Sequence, residues 1–225
     1  KEEEDNTTQI RKFGSFLNFI KKASDEKFAK KIGQKMDLEL YAGYLAATSL
    51  LSSLDSYVNA PHNYYLVVDQ ADDKIRLLPW DVNEAFGTFS MGTSPDQLVE
   101  WDIQRPWTSD IPLLERLFAT EEFPRLFKNK VKFLMKSSFT EEHLFSRLES
   151  FTNVLTPHLS DEELTRFKLG IEGNDAGRNT AVSRDILAIK PFIKRRIQSV
   201  EAQLSGAREG VKIQGRGGRP GRPPR

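Results

Sequence analysis

The sequence predicts a mainly α-helical fold with one small β-hairpin, an α+β chain of roughly seven helices to a single strand pair. Three observations carry this. Apolar residues recur at helical spacing over most of the chain. Only "YYLVVD" and "KIRLLPWD" have the β-branched and aromatic texture of strands, and they flank the turn signal "QADD". Helix-starting and helix-stopping residues (Asp37, Thr140, Ser160, Gly206) stand at the ends of the periodic stretches.

In order, Ile10, Phe13, Phe16, Leu17, Phe19 and Ile20 predict a first helix, and Phe28 and Ile32 continue the pattern after a polar break at Ser24-Asp25-Glu26. Asp37 reads as the N-cap of "LELYAGYLAATSLLSSL", a helix apolar on most of its circumference and so the expected centre of the core. "SYVNAPHN" is loop, and the hairpin follows. From "EAFGTF" to "QRPWTSD" the chain reads as irregular, with Gly87, Gly92, Pro95 and Pro106. "PLLERLF" after Asp110, "EEFPRLFKNKVKFLMKSS", "TEEHLFSRLESFTNVL" and "SDEELTRF" read as helices, the last with the capping-box pair Ser160 and Glu163. A final helix is expected over "AVSRDILAIKPFIKRRIQSVEAQL", kinked near Lys190 by Pro191 and stopped by Gly206.

Composition narrows the class. With 38% hydrophobic and 29% charged residues the chain belongs with globular proteins, and no run reaches the roughly 18 apolar residues of a membrane span. It has no cysteine, which excludes disulfides and thiolate metal sites. It begins at Lys1 in a charged "KEEEDN" run, so it reads as a piece of a longer protein. Of the net charge of +1, residues 206–225 carry +5 (Arg208, Lys212, Arg216, Arg219, Arg222 and Arg225 against Glu209), leaving a body at −4. The division expected is a folded unit over 1–206 and a disordered basic Gly/Pro/Arg-rich tail over 207–225.

Polar residues cluster between 55 and 83: Asp55, Asn59, His62, Asn63, Asp81 and Asn83. If residues near 64–69 pair antiparallel with 74–79, Asn63 and Asp81 become neighbours at one end of the hairpin, close to Asp55. Two Asp and an Asn form a reasonable oxygen-ligand set for Mg²⁺. Phosphoryl transfer needs the same parts, a carboxylate to orient the attacking hydroxyl and an Asp and Asn to hold the metal. Plainer readings fit each residue singly: Asp81 and Glu84 as N-cap and N3 of a short helix, Asp55 as a surface residue past a helix end, His62 as a structural hydrogen-bonder. There is no Gly-x-Ser-x-Gly, no Walker A sequence and no Gly-x-Gly-x-x-Gly.

Taken together, "LDSYVNAPHNYYLVVDQADDKIRLLPWDVNEAFG" resembles the signature of the spore-coat-protein-H (CotH) kinase family, with "PLLERLF", "FKNKVKFLM" and "IKPFIKRRIQSVEAQLSG" similar to its helical C-terminal portion. The resemblance runs over roughly residues 8 to 206 and implies the helical C-lobe of an atypical protein-kinase-like fold. It implies a secreted or surface protein that uses ATP and Mg²⁺ or Mn²⁺ to phosphorylate a protein substrate. Asp55 would match the catalytic-loop Asp; Asn59, His62 and Asn63 would contact nucleotide; Asp81, Asn63 and Asn83 would serve the metal. Nothing in residues 1–50 resembles the family's nucleotide-binding lobe, so the expectation is a C-lobe inactive without a missing N-terminal lobe. Lys21, Lys22, Lys30 and Lys31 read as solvated helix faces. The alternative is a non-catalytic surface or coat-assembly module, with Trp101 and Trp107 as candidate contact residues. Nucleic-acid binding through Arg216-Gly217-Gly218 is disfavoured by the single triplet and the acidic body.

Overall fold

The structure, a computed structural model, describes residues 2–59, 61–182 and 184–214, leaving aside the side chains of residues 2–6. Among the described residues nine α-helices and one hairpin form in the order α1 (Glu2–Lys22), α2 (Asp25–Lys35), α3 (Leu38–Leu50), β1 (Tyr64–Val68), β2 (Ile75–Pro79), α4 (Pro95–Val99), α5 (Pro112–Phe118), α6 (Glu122–Lys136), α7 (Glu141–Leu155), α8 (Asp161–Glu172) and α9 (Ile189–Ser205), with a 3-10 turn (Thr156–His158) after α7. The mainly α chain with one hairpin is what the periodicity predicts.

α3 is the centre. Tyr41, Ala42, Leu45, Ala46 and Leu50 are buried around its circumference. α6 lies along one side through Phe123, Phe127 and Val131, and β2 covers another with Ile75 and Leu77. Each such aliphatic or aromatic burial contributes about 1.5–3 kcal/mol. Asp37 caps the helix, accepting from the Leu40 N–H at 3.0 Å, while its other oxygen lies 3.3 Å from Arg76 Nε on β2. The cap therefore ties the start of α3 to the hairpin.

The hairpin is antiparallel, with Tyr64 opposite Pro79 and Val68 opposite Ile75. That register leaves Tyr65 and Leu78, a facing pair, on the exposed side. Thr140 caps α7, Ser160 and Glu163 form the capping box of α8, and Gly206 closes α9 in a left-handed conformation at φ 77°.

Three expectations shift. The irregular stretch holds α4, whose capping box joins Ser94 to Gln97 with Pro95 at the first helical position. α9 begins at Ile189, eight residues later than the apolar pattern suggests, so Pro191 lies in its first turn, where no intrahelical N–H is needed, and causes no break. The expected tail is placed as far as Gln214: Val211 N donates to Glu100 O (2.6 Å), Asp102 N donates to Val211 O (3.0 Å), and Ile213 is buried. Val211 and Ile213 supply the apolar area that the Gly/Pro/Arg composition lacks, while residues 215–225, with the Arg216-Gly217-Gly218 triplet, lie outside the described residues.

Candidate active site

The residues expected at the site arise from the two ends of the hairpin and from the turn that leaves α3. Past Leu50 the chain doubles back, with Ser52 at φ 46° and its hydroxyl donating to Leu98 O at 2.7 Å. Arg196 of α9, fully buried, donates to Ser49 O (3.0 Å), Val99 O (2.7 Å) and Trp101 O (2.7 Å), binding the end of α3 to the segment after α4. Burial lowers its pKa to about 9, with Glu100 and Asp102 opposing, so at neutral pH the guanidinium keeps its charge. Asp55 emerges from this fixed turn, half-buried.

Asn63 meets it. Its side-chain nitrogen donates to both Asp55 Oδ2 and Asp55 O, each at 3.0 Å, which leaves Asn63 Oδ1 free to accept. His62 Nε2 lies 3.3 Å from the other carboxylate oxygen of Asp55. Asn63 sits at φ 55°, a conformation Asn tolerates better than most residues, and its carbonyl accepts from Trp80 N at 3.1 Å. This bond extends the ladder one step past Tyr64 and Pro79 and pairs Asn63 with Trp80, the residue before Asp81.

Asp81 is exposed and left-handed at φ 49°, and among the described residues its carboxylate has no partner. No helix follows it, so it does not act as an N-cap with Glu84. Beyond it Phe86 (φ 58°) and Gly87 (φ 71°) form a left-handed pair, with the Phe86 ring set edge-on to Phe192 of α9. Glu84 faces Arg184 at 3.4 Å, and Arg184 also reaches Thr88 O. Asn83 is exposed and shares with Glu84, Thr88, Asn179 and Arg184 the wall of a polar cleft of about 540 Å³. Tyr65 and Trp80, edge to face at 5.2 Å, stand exposed beside Asn63.

Asn59 differs from expectation. It is buried, its amide nitrogen faces Met91 Sδ (2.7 Å), its amide oxygen accepts from the Thr108 hydroxyl (2.5 Å), and its carbonyl accepts from Ser109. With the amide engaged at both ends, we assign it to holding the loop against residues 107–109 instead of contacting nucleotide. Trp101 and Trp107 are also buried, so they form no contact face; Tyr65 and Trp80 are the exposed aromatics here.

Among the described residues no three His, Asp or Glu side chains gather into a metal cluster. Mg²⁺ does not require one, since it is held by one or two carboxylates completed by phosphate oxygens and water. An unpartnered Asp81 carboxylate and an unused Asn63 Oδ1, on residues either side of the Asn63–Trp80 backbone bond, are oxygen donors of that kind.

A family model described as CotH kinase protein matches residues 1–200. The chain belongs to the CotH kinase family. No curated protein matches it. Membership makes the CotH chain kinase-like and associates it with nucleotide and divalent-metal use. No helix among the described residues is long and apolar enough to cross a membrane. Two groups at the CotH site escape sequence reasoning: Arg184 and Arg196, each roughly 95 to 147 residues from the groups outside its own segment that it touches.

Proposed function

We propose that this CotH chain is the catalytic portion of a protein kinase that transfers a phosphoryl group from ATP to a protein hydroxyl with Mg²⁺ or Mn²⁺. The observation that carries the reading is Asn63, which fixes Asp55 by two hydrogen bonds, keeps its own oxygen free, and pairs through its carbonyl with Trp80, the residue before the unpartnered Asp81. Kinase chemistry is positioning plus charge stabilisation, and it asks for this division of labour: one carboxylate held for the acceptor, one carboxylate and one amide oxygen for the metal. Asp55 orients the acceptor hydroxyl and accepts its hydrogen bond. His62 packs the far side of that carboxylate. Asp81 and Asn63 Oδ1 would hold the divalent cation, with Asn83 supporting from the adjoining cleft wall. The bound cation would neutralise charge on the transferred phosphoryl group.

The one sheet among the described residues is β1–β2, so strands covering the nucleotide, and a lysine against its phosphates, would come from elsewhere in the parent protein. A secreted or spore-surface setting goes with this reading through the family. The test is phosphotransfer from labelled ATP by the parent protein. Asp81→Ala and Asp55→Ala should each lower it by about 10²-fold or more, the scale of losing one charge-stabilising group. Full activity in either variant sinks the assignment.

A further inference from the structure

Residues 6–36 hold eight cations (Arg11, Lys12, Lys21, Lys22, Lys27, Lys30, Lys31 and Lys35) and only two carboxylates, Asp25 and Glu26, although the body of the chain is net negative. Both carboxylates are engaged elsewhere, Asp25 with Arg116 at 2.9 Å and Glu26 with Lys30 at 2.7 Å. Between α1 and α2 lies a groove of about 510 Å³ lined by Lys22, Lys27, Lys31 and Lys35, with Ser15 and Asn18. None of these four ammonium groups has a salt bridge among the described residues, and Lys35 merely lies 5.2 Å over the Phe19 ring. The polar side chains of Ser15 and Asn18 make no hydrogen bond there either.

Several cations outside the groove are matched, Arg76 by Asp37, Asp69 and Asp72, Lys130 by Glu39, and Lys12 by Asp73. Others, such as Lys128, Lys132 and Lys136 on α6, stand singly on an open helix face; the groove differs in gathering four unpaired ammonium groups around one concavity. On α2, by contrast, Lys27, Lys31 and Lys35 follow at i, i+4 and i+8, a like-charge stripe that costs a few tenths of a kcal/mol per pair.

We propose that the α1–α2 groove is a docking site for an acidic linear segment of a partner protein, one bearing carboxylates or phosphates in series. The stripe extends about 12 Å along α2, the reach of three or four extended residues. Three observations favour a peptide over other polyanions. The surface is a groove between two helices, which suits a strand of chain more than a flat lipid surface. It has no exposed apolar residue to insert into a membrane. Its one aromatic ring, Phe19, is half-buried and covered by Lys35, so no free face remains for base stacking. The inference stands apart from the catalytic reading, because binding is read without phosphotransfer.

The test titrates a fluorescein-labelled decaglutamate peptide into the chain by anisotropy. Saturable binding is expected, weakening at least tenfold as ionic strength rises from about 0.01 to 0.15 M, which shortens the screening length from about 30 to 8 Å. Single changes at Lys22, Lys27 or Lys31 to Gln should weaken it about two- to fivefold each, the range of exposed ion pairs. The double reversal Lys27→Glu/Lys31→Glu should abolish it, while Lys132→Glu on α6 and Asp81→Ala leave it unchanged. All these positions are exposed, and far-UV circular dichroism establishes that the helices persist. No saturable binding at low salt, or binding unmoved by both the Gln changes and the double reversal, overturns the proposal. So does tighter binding to an RNA oligonucleotide or to phosphatidylserine vesicles than to the peptide.

Discussion

Asn63 holds Asp55 twice through one nitrogen, at 3.0 Å to the carboxylate and 3.0 Å to the backbone carbonyl of the same residue. Removing that amide should therefore harm catalysis much more than folding. Asn63→Ala is expected to lower phosphotransfer by about 10²-fold, because it frees the Asp55 carboxylate and removes a metal oxygen together. The cost in stability should stay near 1 kcal/mol, the net worth of an ordinary hydrogen bond at a half-buried site. Parallel ATP-transfer assays and urea denaturation check the contrast; a loss of activity accounted for by unfolding would contradict it.

Gly87 and Gly14 should respond to alanine with opposite signs. At Gly87 the backbone has φ 71°, and an added Cβ would stand 2.9 Å from the Phe192 ring, inside the second core of Val99, Leu187, Phe192 and Ile193. Gly87→Ala is expected to cost about 1–3 kcal/mol through strain and overpacking. An added Cβ at Gly14, inside α1, meets nothing within 4 Å, so Gly14→Ala should be neutral or stabilise by up to about 1 kcal/mol. Melting temperatures of the two variants against wild type settle it.

What the sequence made legible here is what short-range chemistry encodes. Asp37, Thr140, Ser160 with Glu163, and Gly206 do as caps what their side chains or backbone freedom favour, and the hairpin register follows from two apolar runs around one turn. The same register pairs Asn63 with Trp80, the residue before Asp81, so the sequence could anticipate that these segments meet at the open end of the hairpin. Asn59 could not be told apart from its neighbours, because a loop amide looks the same whether it meets a ligand or, as here, Thr108. Arg184 and Arg196 were invisible for a related reason: no periodicity states which carbonyl or carboxylate will lie opposite a cation a hundred residues away. The start of α9 was misplaced because Ile186, Leu187 and Ala188 are buried from non-helical chain, and apolar residues look the same in sequence whether a loop or a helix buries them.

Stability should fall as pH rises from about 10 toward 12. Tyr41, Tyr57 and Tyr64 form a chain of ring contacts, 6.0 Å between the first two and 4.9 Å between the last two, and burial raises all three phenols, Tyr57 to about 12. Burial also raises Tyr44. Unfolded tyrosines ionise near 10, so above that pH the unfolded state has released protons the folded state retains, and folding weakens with pH. For the buried Tyr41 and Tyr57 the slope is about 1.4 kcal/mol per pH unit each while the folded group stays neutral. Arg196 opposes this: its folded pKa of about 9 lies well below the ordinary guanidinium range, so burial of its charge costs stability below 9 and the cost lifts as pH rises beyond it. One group against four leaves a net fall. Urea midpoints at about pH 8, 10 and 11 should decline only after 10, and Tyr57→Phe should flatten the decline; a midpoint that rises through this window would refute the ordering.

Arg196→Met should be among the most damaging single changes in the chain. The guanidinium satisfies three buried carbonyls, of Ser49, Val99 and Trp101, and no water-accessible alternative exists for groups in so closed a site. Methionine fills similar volume but leaves Val99 O without its donor, removes one donor each from Ser49 O and Trp101 O, which keep Ser52 N and Gln203 Nε2, and leaves the nearby Glu100 and Asp102 without their buried counter-charge, an expected loss of about 3–5 kcal/mol. Arg196→Lys should recover only part of it, since one ammonium on a flexible stem does not reproduce a planar fork reaching two strands of chain. Chemical denaturation orders the three proteins, with wild type first, Lys second and Met last. Because Ser49 O belongs to the end of α3, hydrogen exchange of residues 50–56 should rise in both variants before global unfolding; protection unchanged there would mean that the Asp55 turn is held by its own bonds and not by Arg196.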